Sequence, residues 1–367
     1  MFRHHLVKMI VTILIMLFMQ TGSIAYASDS NVLILNQAVD LALLYHPEIK
    51  KFKTDLELAR VNKNNAENAY ETARANYTQN LNVLRNAVEN AETGYDLARY
   101  VYEDGQISLE KLNIKIVFNM EKDYLTLLNL NNIIRSVEKN YSIQKQTANI
   151  EELKKDLGLS TLYLVDQQRE KIYSIDRQLQ DLYNTRQTLS WQINRNVGRD
   201  INSPLVLAPV TFERVNYEEN KQASLAAASG ESLAISQFNR TIEDKKIEAD
   251  NKQITASDKL EKIELEIQQT TINKDNVEYG MRVAVENAYT KMGNASKSLV
   301  DKNQSWEIAR RNYENQQLQY QLGMTSKVNY DVMEINYQQK QSEYEQAVYD
   351  YYLAARAVKL LEQGVII

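Results

Sequence analysis

The chain contains no cysteine, three prolines and ten glycines, and each shortage closes off a class of protein. Without cysteine there is no disulfide framework, no thiolate metal site and no thiol for a lipid anchor, so folding rests on packing alone. No two glycines stand closer than Gly94 and Gly105, which leaves no loop able to cradle a phosphate or a dinucleotide. Histidine is nearly absent: beyond His4 and His5 the single one is His46, just before a helix-starting proline. Imidazole triads and His-rich metal sites are thereby excluded, and His46 reads as structural. Carboxylates are plentiful but scattered along helix faces, with no pair marked for acid/base work. The expectation is a protein that is not an enzyme and uses neither cofactor nor metal.

Long hydrophobic runs are also missing. The longest, "MIVTILIMLFM" at Met9 to Met19, follows a basic start and precedes Ala25-Tyr26-Ala27, the pattern of a secretory signal over residues 1–27. It falls well short of the ~20 residues of a spanning helix. Removing it leaves 41 basic against 48 acidic residues, a net charge of −7, which argues against a nucleic-acid partner.

What remains is helix-forming sequence. Pro47 opens a Gly- and Pro-free run to Thr93 that reads as one helix about 70 Å long. Further Gly-free runs cover Gln106 to Leu157, Leu159 to Val197, Glu231 to Tyr279 and Met324 to Gln363. Between them, "NRNVGRDINSPLVLAPV" at Asn194 to Val210 carries Gly198 to end a helix, Pro204 and Pro209 to break one, and Leu205, Val206 and Leu207 able to run extended.

The helical pattern occurs twice. "KKDLGLSTLYLVD" at Lys154 to Asp166 and "QYQLGMTSKVNYD" at Gln319 to Asp331 place Leu-Gly and a trailing Asp at the same offsets, 165 residues apart. After the first joint a heptad seam runs Ile172, Ile175, Leu179, Leu182, Arg186, Leu189, Ile193; the same shift gives Tyr337, Lys340, Tyr344, Ala347, Tyr351, Ala354, Val358. Before the joint, Glu121 and Tyr124 match Glu286 and Tyr289. The chain is a duplication, divided into a first helical repeat at 28–198, a linker at 199–218 and a second repeat at 219–367. The tyrosine stripe Tyr330, Tyr337, Tyr344, Tyr351 suits either a coiled-coil core with ring faces packed and hydroxyls reaching water, or a wet interior. Gly158 and Gly323 allow sharp reversals, and Ser160, Thr161, Thr325 and Ser326 are candidate caps of the returning helices.

In order and spacing these features resemble the TolC-like outer-membrane efflux and secretion channels. The resemblance is carried by "QAVDLALLYHPEI" at Gln37 to Ile49, "YQLGMTS" at Tyr320 to Ser326 with its sibling "DLGLST" at Asp156 to Thr161, "VGRDINSPLVL" at Val197 to Leu207, and the closing "QAVYDYYLAARAVKLLEQG" at Gln346 to Gly364. It implies an all-α or mainly α fold, with long antiparallel coiled-coil helices in two duplicated halves forming part of a trimeric α-barrel. It also implies an exported, membrane-associated component of the cell envelope, in the outer membrane or periplasm. Its partners would be its own copies in a homotrimer, a periplasmic adaptor and an inner-membrane transporter. Leu157, Gly158, Leu159, Ser160, Leu322, Gly323, Met324 and Thr325 would then be adaptor-docking hairpin tips.

Two departures from that family stand out. Where its members commonly hold an aspartate six residues after the second joint glycine, this chain has Asn329, and Leu164 in the first half. Asp331 and Asp166, two residues on, read as solvated or inter-helix carboxylates near the tunnel mouth. The slots for membrane-barrel strands, Thr78 to Asn113 and Glu261 to Val285, are mostly helical in pattern, the short alternations at Ile263, Leu265, Ile267 and at Val277, Tyr279, Met281, Val283 notwithstanding. Helix is expected in both, with at most a vestigial strand pair. The competing expectation is a structural coiled-coil protein of the envelope without an open lumen.

Overall fold

A computed structural model describes residues 32–77, 85–212, 220–250 and 257–366. The expected secretory signal and its cleavage site lie outside the described residues, as do 78–84 of the first barrel slot and the end of the linker.

The chain is built of long helices joined by reversals. After the short strand β1 (Val32–Leu33) come α1 (Leu35–Tyr45), α2 (Pro47–Tyr77), α3 (Arg85–Asp156) and α4 (Leu162–Asn196). Then follow β2 (Val206–Leu207), α5 (Lys221–Gly230), α6 (Leu233–Asp250), α7 (Ser257–Gln321) and α8 (Lys327–Glu362). The 72 residues of α3 make a rod about 110 Å long. Shifted by 165, the bounds of α4 fall on those of α8 to within one residue. The two halves are structural duplicates.

Neighbouring helices run antiparallel. Tyr70 on α2 stacks on Tyr95 of α3 at 6.1 Å, and Leu56 reaches Gly105 further along. The region from Pro47 to Thr93 is therefore not one helix: α2 ends at Tyr77, and α3 begins at Arg85 and returns beside it. Likewise the run from Glu231 to Tyr279 is divided between α6 and α7. Neither interval, 78–84 or 251–256, contains Gly or Pro, whereas Gly94, Gly105, Gly280 and Gly293 sit inside helices. A helical glycine costs only about 1 kcal/mol, which the packing of so long a helix outweighs.

Both barrel slots are helical wherever they are described, and each interval between the paired helices is shorter than one ~10-residue membrane strand. The strand pair lies elsewhere: β1 pairs in parallel with β2, Val32 opposite Val206 and Leu33 opposite Leu207. The Leu205–Leu207 stretch thus runs extended, stitching the start of the chain to the mid-chain linker. Gly198, at φ +74°, ends α4.

Packing sets the order of the helices. On the side of the glycine joints, α4 lies on α3, α3 on α8 and α8 on α7, giving a four-helix layer with α4 and α7 as its edges. At the other end α2 flanks α3 and α6 flanks α7. Between the two ends is a belt of core. One cluster gathers Leu33, Ala42, Ile49, Met120, Tyr124, Leu127, Ile193 and Leu207, a second gathers Ala228, Ile235, Met281, Val285, Tyr289 and Val358, and a small third one joins Phe118, Leu360 and Val365. Seam residues Leu179, Ile193, Ala347 and Val358 are buried as their heptad places predict, while Arg186 is exposed and lays its guanidinium 5.1 Å from the Tyr183 ring.

Candidate functional site

Each joint at Gly158 and Gly323 is a tight, capped reversal. The glycines take φ +72° and +70°, a region that costs a side-chain-bearing residue about 1–2 kcal/mol. Gly158 N–H donates to Lys155 O at 2.9 Å and Leu159 N–H to Lys154 O at 2.8 Å; Gly323 N–H donates to Tyr320 O at 3.0 Å and Met324 N–H to Gln319 O at 2.8 Å. These bonds close the last turns of α3 and α7.

Of the four candidate caps, Thr161 and Ser326 fill the role, their side chains accepting from Leu164 N and Asn329 N at 3.4 and 3.2 Å. Ser160 and Thr325 instead fasten the joint back to the outgoing helix. Ser160 Oγ donates to Glu151, and Thr325 Oγ1 accepts from Gln316 Nε2 at 2.7 Å. Glu151 and Gln316 occupy equivalent places in the repeat, a signal the sequence carried and the capping reading missed. The Ser160 hydrogen bond, helped by Lys154, holds the Glu151 carboxyl below its ordinary range.

At the apex Leu157, Leu159, Leu322 and Met324 are 66%, 75%, 64% and 75% exposed. Paired interior positions and matched outer ones make the two tips near copies.

The positions just past the tips differ between the halves. Leu164 and Asn329 are exposed. Asp166 is exposed beside Arg169 at 3.4 Å. Asp331 is buried rather than solvated: its carboxylate meets Lys327 of its own helix, and that ion pair raises the Lys327 pKa. One turn of α8 brings the two charges together, which the shift of Lys327 from its equivalent Leu162 makes possible in this half alone.

The four-helix layer has two unlike faces. One carries a groove of about 550 Å³ to which all four helices contribute: Gln178 of α4, Asn140 of α3, Gln339 and Asp350 of α8, and Lys302 of α7. Its lining is mainly amides and hydroxyls, with Ile133, Val137 and Ile335 among them; Lys302 is paired to Glu343 at 2.8 Å, and burial raises the Asp350 carboxyl against an opposing hydrogen bond from Gln346. On the opposite face the linker lies across α3 and α8, with Phe212 stacked on Tyr352 at 4.1 Å and edge-on to Tyr349 at 5.9 Å.

The tyrosine stripe faces α7 rather than the groove. Tyr344 stacks on Trp306 at 5.0 Å, Tyr337 on Tyr313 at 5.2 Å, and Tyr330 on Tyr320 at 5.0 Å. Among the described residues no three metal-binding side chains converge, and no helix is long and apolar enough to cross a membrane.

Several solved structures that share this architecture are outer-membrane channels. The channel OprN superposes with a TM-score of 0.61 at 13% identity over 90% of each chain. The Campylobacter jejuni CmeC channel gives 0.60 at 14% over 90% of this chain and 86% of that one. The Vibrio cholerae outer membrane protein VceC gives 0.57 at 12% over 91% and 97%. At such identities the likeness is one of fold alone. No curated protein matches the sequence. The model of the family described as "Protein of unknown function (DUF4011)" matches residues 40–245, more than half of the chain, and the chain belongs to that family.

Proposed function

We propose that the protein is a passive conduit of the cell envelope, three copies closing into an α-helical tube that passes small molecules or proteins. The observation that carries this reading is the four-helix layer around one groove: all four helices line it, and on the side of the glycine joints the layer ends in two edge helices, α4 and α7. A layer around one groove that ends in two edges closes on itself when repeated, edge to edge in one rotational sense. Twelve helices spaced ~9–10 Å apart would enclose an opening roughly 25 Å wide. The groove's polar lining suits a water-filled passage, and no residue need perform chemistry.

The two tips of each chain would give six near-equivalent apolar points at one end of the tube. They suit docking of a periplasmic adaptor, which in turn engages an inner-membrane transporter. Leu157, Leu159, Leu322 and Met324 would make the contacts, with Gly158, Gly323, Ser160 and Thr325 fixing the shape that presents them. Leu164, Asp166 and Asn329 would stand near the mouth. With Asp331 neutralised by Lys327 and Asp166 beside Arg169, an acidic ring there is not part of the proposal.

A second reading, an envelope coiled-coil protein without a lumen, is favoured by one observation, the helical barrel slots. Electron micrographs of the purified protein separate the two. End-on rings with a stain-filled centre support the conduit, and solid rods contradict it.

A further inference from the structure

We infer that the two glycine-jointed hairpins are mechanically unequal, the edge helix α4 being the releasable member of the wall and the α7–α8 hairpin its fixed frame. The repeat makes the comparison residue by residue. In the second hairpin, rings from both helices form a ladder toward the tip: Tyr344 on Trp306, then Tyr337 and Tyr330 on Tyr313, then Tyr330 on Tyr320. Within it the Tyr313 and Tyr330 hydroxyls share a hydrogen bond of 2.7 Å. Lys327 lies over both the Tyr320 and Tyr330 rings, at 5.9 and 5.0 Å, while paired with Asp331.

At the equivalent places the first hairpin has Tyr141, Ala148 and Lys155 on α3, and Val165, Ile172 and Leu179 on α4. No ring of α4 stacks on α3 among the described residues. Small aliphatic contacts hold the pair, with Ile143, Ala148, Val165 and Leu179 buried. The polar links beside them, Tyr183 to Glu138 at 2.6 Å and Arg169 to Glu152 at 2.9 Å, are solvent-exposed and of the kind that contributes little. Among the described residues, no hydrogen bond, ion pair or ring contact ties the tip-side half of α4 to a helix other than α3. By contrast α3 is tied to α8 through Asn132 and Glu345 at 2.7 Å and through Lys139 and Glu334. A force at the first tip therefore parts α4 from α3 before it disturbs α3, α8 or α7.

That such parting opens a passage rests on the conduit reading; the inequality itself does not, and its test is indifferent to copy number. Because α4 and α7 are both edge helices, assembly would cover them alike. Hydrogen exchange of the full-length protein, read by mass spectrometry, compares the tip-side amides of these two edges, 162–180 of α4 and 303–321 of α7. We expect exchange about tenfold faster in 162–180. Replacing the second ladder with its first-half counterparts, Tyr337→Ile with Tyr344→Leu, should bring 303–321 toward the faster rate. Equal or slower exchange in 162–180 of the unaltered protein would overturn the inference, whatever the assembly proves to be.

Discussion

Arg356 on α8 donates to Glu121 on α3, Nε to Oε2 at 3.2 Å and Nη2 to Oε1 at 3.4 Å, joining the two halves through a carboxylate that is 8% exposed. The equivalent Glu286 is exposed and pairs with Lys221 at 3.0 Å. The duplicated glutamate thus serves as an inter-half bolt in one repeat and a surface pair in the other.

Arg356→Ala should accordingly destabilise the protein by about 2–4 kcal/mol, because it strands a buried charge. Glu121→Gln combined with Arg356→Gln should recover most of that loss. Lys221→Ala should cost less than about 1 kcal/mol. Chemical denaturation of the three variants checks the ordering.

Tyr124 and Tyr289, also equivalent, are both buried but hold different partners. The Tyr124 hydroxyl lies 2.8 Å from both Leu33 O and Ala208 O, fastening β1 and the end of β2 to α3; Tyr289 shares a 2.8 Å bond with Ser224 of α5. Tyr124→Phe should cost about 1–3 kcal/mol and Tyr289→Phe about 1 kcal/mol. Burial also pushes the Tyr124 hydroxyl from 10.0 up to about 12. Between those values the unfolded chain sheds this proton first, so the folded state binds more protons and stability falls as pH rises. A denaturation series from pH 9 to 12 should show a shallower decline for Tyr124→Phe.

The positive-φ glycines should differ in tolerance. A methyl group at Gly158 or Gly323 meets nothing within 4 Å, so alanine there should cost only the backbone strain, about 1–2 kcal/mol. At Gly198 it would stand 2.6 Å from Tyr45 Cγ, and Gly198→Ala should cost clearly more. Melting temperatures of the three single variants give the comparison.

Much of this was legible in the sequence, for identifiable reasons. The joints announced themselves because glycine is the residue that takes a left-handed turn cheaply, and Gly158, Gly198 and Gly323 all do so. The heptad seam found the α4 and α8 core because burial there follows the helical period. The ends of α2 at Tyr77 and α6 at Asp250 were hidden, since neither 78–84 nor 251–256 contains Gly or Pro, and the interior glycines pointed the wrong way. The i,i+4 spacing of Lys327 and Asp331 was legible as a pair, whereas the burial of Asp331 has no signature in the sequence, since it depends on how the helices pack. The partnership of β1 with β2 spans more than 170 residues and has no local signature beyond an extended Leu-Val-Leu.

The tips should be dispensable for folding and essential for transport. Leu159→Glu with Met324→Glu alters two side chains that are each 75% exposed, so stability should stay within about 0.5 kcal/mol per site. Export through the envelope system should nevertheless fail, as measured by accumulation of cargo in cells expressing the variant. Unimpaired export would remove the tips from the docking role.

The most direct test of a closed tube is the mass of the purified full-length chain in solution, measured by light scattering with and without detergent. Three chain masses are predicted, held at low micromolar concentration and unchanged in the Leu159→Glu, Met324→Glu variant. A monomer or dimer across that range would contradict the conduit, because fewer than three four-helix layers could not close the twelve-helix ring.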